Sequence, residues 1–253
     1  MRFASLGSGS KGNSTLVATA DTLLMIDCGF SARQVVLRME RLGVNPTQLD
    51  AILVTHEHSD HSSGVAALSR KYQVPVYMTH GTASTNRVAD PFSVNCFNAG
   101  ASFVIGDIDV AAVPVPHDAR EPCQYRLASS QCSLGVLTDL GSITPHVVDS
   151  YSDCDGMLLE FNHDVGMLEA GDYPVALKRR VGGDWGHLNN EQAVGFLHAI
   201  DCKRLRYLAI AHISENNNCR EKAEQALKSA FEPDDHRVVW AEQATGFDWL
   251  QLA

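Results

Sequence analysis

The sequence lacks the features that mark membrane-spanning, secreted and disulfide-linked proteins. No stretch approaches the roughly 20 consecutive apolar residues of a membrane span, and residues 1–14 show no signal-peptide pattern. Seven cysteines are present, but the number is odd and no two are spaced as CxxC. This usage is typical of a reducing compartment and not of a disulfide framework. We therefore predict a cytoplasmic protein that does not contact a membrane.

Positive charge is also scarce. The chain has 20 lysines and arginines against 30 aspartates and glutamates, which gives a net charge of −10. This balance disfavours non-specific binding to nucleic acid or to an anionic membrane. It does not exclude a nuclease, because bound metal ions reverse the charge of a site locally.

Low-complexity tracts and recognisable linkers are absent from the sequence as well. The 253 residues are 45% hydrophobic and 20% charged, which is the composition of a chain with a folded core. Short apolar strands alternate with helices in two similar halves. This order predicts the α/β class, with an αββα sandwich of two mixed sheets flanked by helices. We expect one domain over residues 1–253, whose last elements are a helix at 216–231 and a strand at 237–241.

Histidine, by contrast, is plentiful, and four ligand-type residues lie within one short loop. His56, His58, Asp60 and His61 follow the apolar run at residues 51–54. Three imidazoles and a carboxylate at the end of a buried strand are costly unless something satisfies them, and a divalent metal ion does so most simply.

Three more residues of ligand type each follow an apolar strand, namely His117, Asp139 and His212. In layered sheet folds such strand ends carry the binding loops, so we expect these residues to converge on the His-rich loop. Taken singly, each also has an ordinary explanation as a loop residue, and Asp139 as a turn residue. Four other histidines are interpreted as structural only: His80, His146, His198 and His236.

The His-rich loop, His56-Glu57-His58-Ser59-Asp60-His61, fits the HxHxDH signature. With this loop and with the segments at 6–14, 26–29, 160–164, 186–190 and 212–217, the chain resembles the metallo-β-lactamase superfamily, and in particular its YycJ/WalJ-like bacterial branch, over essentially its whole length. The resemblance implies the metallo-β-lactamase fold. It also implies two metal sites: His56, His58 and His117 at the first, Asp60, His61 and His212 at the second, with Asp139 bridging them.

The chemistry of these ligands agrees with that assignment. Imidazole and carboxylate without a ligating cysteine suit Zn²⁺ or Mn²⁺, with Fe²⁺ also possible, whereas Mg²⁺ prefers oxygen ligands. Seven ligands are too many for one four-coordinate zinc and suit two ions with open positions. Two such ions would hold a bridging hydroxide and lower its pKa, which is the chemistry of hydrolysis. Glu57 and Ser59 are expected to be spacers that face away from the metals.

The resemblance also bears on which bond is hydrolysed. Asp139 stands where many lactamases have a cysteine, which argues against antibiotic hydrolysis. Glu160 and His187 resemble the pair that assists phosphodiester cleavage in the tRNase Z branch, so we predict Asp60, His187 and Glu160 as catalytic residues. Two alternatives stay open. His187 is otherwise a helix-capping residue, and Glu160 otherwise orients a ligand histidine.

Several other polar residues are candidates for supporting the metals or binding substrate: Asp27, Ser8, Ser10, Asn13 and His163. The glycine- and serine-rich loop at 7–14 is either a phosphate cradle or a plain strand connection. The basic cluster at 178–180 either contacts a phosphate backbone or is a solvated face.

These observations predict a dinuclear metal-dependent phosphodiesterase, a nuclease acting on DNA or RNA. The alternative is a small-molecule hydrolase such as a cyclic phosphodiesterase, and a third reading is a non-enzymatic or redox metal protein of the same fold.

Overall fold

The computed structural model describes residues 1–231 and 235–252, which form two packed β-sheets. The first sheet has the strands β1 (Arg2–Gly7), β2 (Ser14–Ala18), β3 (Leu23–Ile26), β4 (Ala51–Leu53), β5 (Val76–Thr79), β6 (Val94–Phe97) and, from the end of the chain, β14 (Phe247–Gln251). Their order is β14-β1-β2-β3-β4-β5-β6, antiparallel as far as β3 and parallel from β3 to β6.

The second sheet repeats this plan. Its strands are β7 (Ser102–Ile105), β8 (Ile108–Pro114), β9 (Cys123–Ala128), β10 (Ser133–Leu137), β11 (Gly156–Glu160), β12 (Tyr207–Ala211) and β13 (Val238–Trp240). They lie in the order β13-β12-β11-β10-β9-β8-β7, and the four strands from β10 to β13 are parallel. Both sheets are therefore mixed, as predicted.

Helices cover the outer faces of both sheets. The described helices are α1 (Ala32–Arg41), α2 (Ser59–Ser62), α3 (Val65–Tyr72), α4 (His80–Ser84), α5 (Pro145–Tyr151), α6 (Val165–Ala170), α7 (Val175–Val181), α8 (Asn190–Ala199) and α9 (Arg220–Leu227), with a 3₁₀ turn at Pro46–Gln48. Side-chain caps begin several of them. Ser31 accepts a hydrogen bond at the start of α1, and Asn189 forms a capping box with Gln192 at the start of α8.

The buried apolar residues form three layers. One layer lies between the sheets and includes Phe3, Tyr125 and Leu158. A second joins the first sheet to α1 and α3, and a third joins the other sheet to α5, α8 and α9. Because strands in both sheets bury side chains on both faces, their sequences read as continuous apolar runs. The αββα sandwich is confirmed.

The end of the chain differs in detail from the prediction. The helix expected at 216–231 begins only at Arg220, because Asn218 uses its amide to bond Asn190 and the Phe161 carbonyl. The strand expected at 237–241 is Val238–Trp240, and a further strand, β14, pairs with β1. Helices α6 and α7 were also not predicted; α7 has no fully buried residue, so it lacks the wide apolar stripe by which a core-facing helix is recognised.

Candidate metal centre

The strand ends bring the seven predicted ligands together with Glu160 and His187. Three groups have ligand atoms that all lie within 4.8 Å of one another. They are His56, His58 and His117; Asp60, His61, Asp139 and His212; and Asp139, Glu160, His187 and His212. Asp139 and His212 belong to both the second and the third group, and the His56 ring centroid lies 4.3 Å from that of His61, so the three groups adjoin one another.

The first group is a cage of imidazoles. The ring centroid of His56 lies 4.6 Å from that of His58 and 4.8 Å from that of His117. His117 Nε2 is 3.3 Å from His58 Nδ1. His56 Nε2 is buried and has no hydrogen-bond partner in the described structure. Nitrogen atoms that converge in this way, one of them buried and unpaired, fit a divalent metal ion.

The second group surrounds the Asp139 carboxylate. Its Oδ2 lies 3.2 Å from His61 Nε2 and 3.2 Å from His212 Nδ1. Neither contact has hydrogen-bond geometry, so this buried oxygen has no hydrogen-bond partner within the described residues. Asp60 Oδ2 lies 3.5 Å from His61 Nε2 and 3.7 Å from His212 Nε2. Mixed imidazole and carboxylate ligands around an unsatisfied oxygen fit a second divalent ion.

Three residues of the centre have left-handed backbone conformations. The φ angles are 57° at Asp27, 53° at Asp139 and 51° at His212. Such a conformation costs a non-glycine residue about 1–2 kcal/mol. Strain of this kind is typical of functional sites. At each of these three residues, the left-handed conformation turns the backbone sharply just after a strand reaches the centre.

Asp27 fixes the His61 ring. Its Oδ2 accepts from His61 Nδ1 at 2.7 Å, and its two oxygens also accept from the amide and the hydroxyl of Thr55, each at 2.8 Å. Burial raises the pKa of Asp27, while the charge of His61 acts to lower it. Because Nδ1 of His61 is held by the carboxylate, Nε2 is directed into the second ligand group.

Glu160 is fully buried and lies below the ligands rather than on the cavity surface. Oε2 accepts from His187 Nδ1 at 3.0 Å, from His212 Nδ1 at 3.1 Å and from the Asp139 amide at 2.9 Å. Burial alone would raise its pKa, but His187 and His212 lower it to about 2. This placement favours the alternative stated above, in which Glu160 orients histidines without touching substrate.

His187 stands at the cavity edge. Its side chain is 22% exposed and lies 3.7 Å from Asp139 through Nδ1. Burial alone would lower its pKa, but the Glu160 carboxylate raises it. The cavity above the ligands measures about 850 Å³, and it is lined by Asp60, Asp139, His187 and His212 among others. His187 therefore faces any substrate that reaches the centre.

The hydrogen-bond donors of the glycine- and serine-rich loop are used within the protein. The Gly9 amide and the Ser8 hydroxyl both donate to Asn13 Oδ1, and the Lys11 amide donates to Gln243. Ser8 in turn accepts from the His212 amide, and Asn13 Nδ2 lies 3.1 Å from His61 Nε2. Ser10 alone of this loop lines the cavity. The geometry favours a structural connection over a phosphate cradle.

Other predicted residues take varied places. His163 is buried away from the cavity; burial lowers its pKa to about 4, and its Nδ1 has no hydrogen-bond partner within residues 1–231 and 235–252. Of the basic cluster only Arg180 lines the cavity. Glu57 and Ser59, expected to be spacers, both line the cavity and belong to no ligand group. Four histidines interpreted as structural are exposed and lie outside the ligand groups: His80, His146, His198 and His236.

Sequence reasoning missed Asp118. Its Oδ1 lies 3.5 Å from His117 Nε2 and 3.9 Å from His58 Nε2, and its Oδ2 accepts from Arg180 Nε. The sequence offered one indication of Asp118, namely its position directly after the predicted ligand His117. Its pairing with Arg180 could not be predicted, because the two residues are distant in sequence and meet only in the fold.

Comparison with known proteins agrees with this geometry. The family model described as a β-lactamase superfamily domain matches residues 22–213. The chain belongs to the metallo-β-lactamase superfamily. It is 35% identical over 232 residues to the exodeoxyribonuclease WalJ of Streptococcus pneumoniae, covering 89% of this chain and 86% of the relative. It is 33% identical over 238 residues to the exodeoxyribonuclease YycJ of Bacillus anthracis, covering 92% and 89%. Both the superfamily and the YycJ/WalJ-like branch are thus as predicted.

Solved structures show the same metallo-β-lactamase fold. The protein YhfI from Bacillus subtilis superposes with a TM-score of 0.74 and 16% identity, over 99% of both chains. At that identity the likeness speaks for the fold alone. Among the described helices, none combines the length and apolar character needed to cross a membrane.

Proposed function

We propose that this protein hydrolyses phosphodiester bonds of DNA as an exodeoxyribonuclease with two divalent metal ions. The observation that supports this most is the continuous set of seven ligands beneath a cavity of about 850 Å³. The two relatives that share a third of the sequence are both exodeoxyribonucleases. We further propose that the reaction takes place in the cytoplasm, where the seven free cysteines stay reduced.

The chemistry of the proposed ligands limits which metal ions suit the site. His56, His58 and His117 would hold one ion, Asp60, His61 and His212 the other, and Asp139 would bridge them. Zn²⁺ or Mn²⁺ suits this mixture, and Fe²⁺ is the third choice. When bound, such ions supply an activated water and offset charge on a phosphate.

The remaining steps use side chains of this protein. His187 presents its second ring nitrogen to the cavity, because Glu160 holds Nδ1. An imidazole whose pKa a buried carboxylate raises is suited to donate a proton to the oxygen that leaves the phosphorus. Glu160 acts through His187 and His212, and we treat it as a positioning residue.

The test is hydrolysis by protein reconstituted with Zn²⁺ or Mn²⁺. We expect turnover of bis-p-nitrophenyl phosphate and of DNA, and loss of activity by at least about a hundredfold in Asp60→Ala, because a ligand is removed. His187→Ala should lower kcat by about 10²–10⁴-fold. The exposed His198→Ala is the matched control and should behave as wild type.

The substrate panel separates the alternatives. It contains single-stranded DNA, double-stranded DNA, RNA and cyclic nucleotides. Turnover of cyclic nucleotides without turnover of DNA would replace the nuclease proposal with the small-molecule phosphodiesterase. If neither metal supports hydrolysis of any of these substrates, the enzyme proposal fails.

A further inference from the structure

Two arginines on one wall of the cavity have side chains without a partner among the residues that the structure describes. Arg87 and Arg120 both line the cavity above the ligand groups, and both are exposed. Their backbone amides are bonded, to Thr85 and Glu57 respectively. In the described part of the chain, however, neither guanidinium has a hydrogen bond, an ion pair or a ring contact.

The other charged side chains of the cavity do not pair with these arginines. Arg180 donates to Asp118, which balances its charge. Asp60 and Asp139 belong to the ligand groups. Glu57 Oε1 accepts from the Arg120 amide at 2.9 Å, and its Oε2 is buried without a hydrogen-bond partner among the described residues. Arg87 and Arg120 are thus the cavity-lining arginines whose guanidinium groups have no ion pair within residues 1–231 and 235–252.

The wall that carries these arginines is firmly held. Glu121 accepts from the Gly81 amide at 2.6 Å and from the Ala99 amide at 2.9 Å. Its carbonyl accepts from the Thr79 hydroxyl at 2.8 Å. The loop of Arg120 is therefore tied to α4, which leads to Arg87. No ion pair joins the Glu121 carboxylate to either arginine within the described residues.

We propose that Arg87 and Arg120 bind the phosphates of the DNA strand that flank the one being cut. This inference rests on the proposed nuclease function. A guanidinium presents a planar fork of donors that matches two oxygens of a phosphate, and it is always charged. Since the two arginines share the cavity with the ligands, a strand whose scissile phosphate lies at the metals reaches them with its neighbouring phosphates.

The experiment measures binding, so that it does not depend on turnover. The probe is a fluorescently labelled single-stranded DNA with phosphorothioate linkages, which resist hydrolysis, titrated with metal-loaded protein at several salt concentrations. We expect Arg87→Gln and Arg120→Gln each to weaken binding about tenfold. Each should also reduce the magnitude of the slope of log K against log salt by about 0.7, because one phosphate contact is lost.

Two further variants sharpen the result. Arg206→Gln removes an exposed arginine at the start of β12, outside this cavity, and should leave both the affinity and the slope unchanged. Arg120→Lys keeps the charge but loses the fork, so it should restore the salt slope and regain only part of the affinity. If Arg87→Gln and Arg120→Gln bind the probe as wild type does, the inference is wrong.

The outcomes also distinguish this inference from the proposed function. Hydrolysis of bis-p-nitrophenyl phosphate by a protein that does not bind the DNA probe would overturn the arginine site and leave the phosphodiester chemistry standing. DNA binding that depends on both arginines, without turnover of any substrate, would overturn the proposed hydrolysis and retain the arginine site.

Discussion

At the scale of the residue, four of the five proposed ligand histidines are held through the ring nitrogen that faces away from the centre. His61 Nδ1 is held by Asp27, His212 Nδ1 by Glu160, and His117 Nδ1 by the Gly186 carbonyl at 3.0 Å. His56 Nδ1 lies 3.0 Å from the Thr55 hydroxyl. Because each of these four rings donates from Nδ1 to an oxygen, its Nε2 is unprotonated and keeps the lone pair that a metal ion needs.

Replacing Asp27 tests this arrangement. In Asp27→Asn one carboxylate oxygen becomes an amide nitrogen, which is a donor and cannot accept the hydrogen bonds from His61 or Thr55 that the oxygen accepted. We expect the affinity for the second metal ion to fall by about 10–100-fold. Competition with a metal chelator measures it. Asp21→Asn, in an exposed turn, is the control. Equal affinity in Asp27→Asn and wild type would show that Asp27 does not support the ligand.

At the scale of the element, the loop between α7 and α8 depends on a close backbone contact. A Cβ placed on Gly141 would lie 2.4 Å from the carbonyl carbon of Asp184 and 2.4 Å from the Gly186 nitrogen. Both neighbours are backbone atoms that cannot swing aside. The same loop carries His187 and, through the Gly186 carbonyl, holds His117. Glycine at 141 is therefore needed for the position of both histidines.

Gly141→Ala should displace this loop. We expect a loss of about 1–3 kcal/mol in the free energy of unfolding. We also expect a fall in kcat larger than the loss of folded protein explains, since His187 moves. Gly195→Ala is the control, because a Cβ there meets nothing within 4 Å, and alanine in a helix stabilises by up to about 1 kcal/mol. Unchanged kcat in folded Gly141→Ala would refute the role of the loop.

The elements also show which features could be predicted from the sequence. The strands that end at His117, Asp139 and His212 were predictable, because each apolar run is followed directly in the chain by its ligand-type residue. Helix α7 was not predicted, since it has no fully buried residue and so no wide apolar stripe. The pairing of Asp118 with Arg180, and the absence of a side-chain partner for Arg120 among the described residues, depend on which distant segments the fold brings together. A single sequence carries no record of those approaches.

At the scale of the whole molecule, the proposed ligands from both sheets meet at one end of the sandwich, where the strands that precede them end. The first sheet provides the HxHxDH loop after β4, and the second provides His117, Asp139 and His212 after β8, β10 and β12. Ions bound there would join the two sheets. That residues 1–253 act as a single domain stays a prediction.

Metal removal should therefore lower the stability of the entire fold. At a free metal concentration about 100 times Kd, each bound ion adds about 2.7 kcal/mol to the free energy of unfolding. For a chain of this size, the loss of each ion corresponds to a decrease in Tm of roughly 5–10 °C. Thermal unfolding followed by circular dichroism, before and after EDTA, measures it, and added Zn²⁺ should restore the original Tm. Identical melting curves with and without EDTA would contradict a metal that joins the sheets.

The spacing of the ligands along the chain has a consequence for how the protein is made. Four ligands lie between residues 56 and 61, whereas His212 follows a strand near the end of the second sheet, and β14 pairs with β1 later still. A chain emerging from the ribosome thus carries a partial metal site long before its last partner exists. Closing such distant contacts is slow. The first four proposed ligands are therefore exposed to metal ions in the surrounding solution until synthesis of the second half supplies the rest.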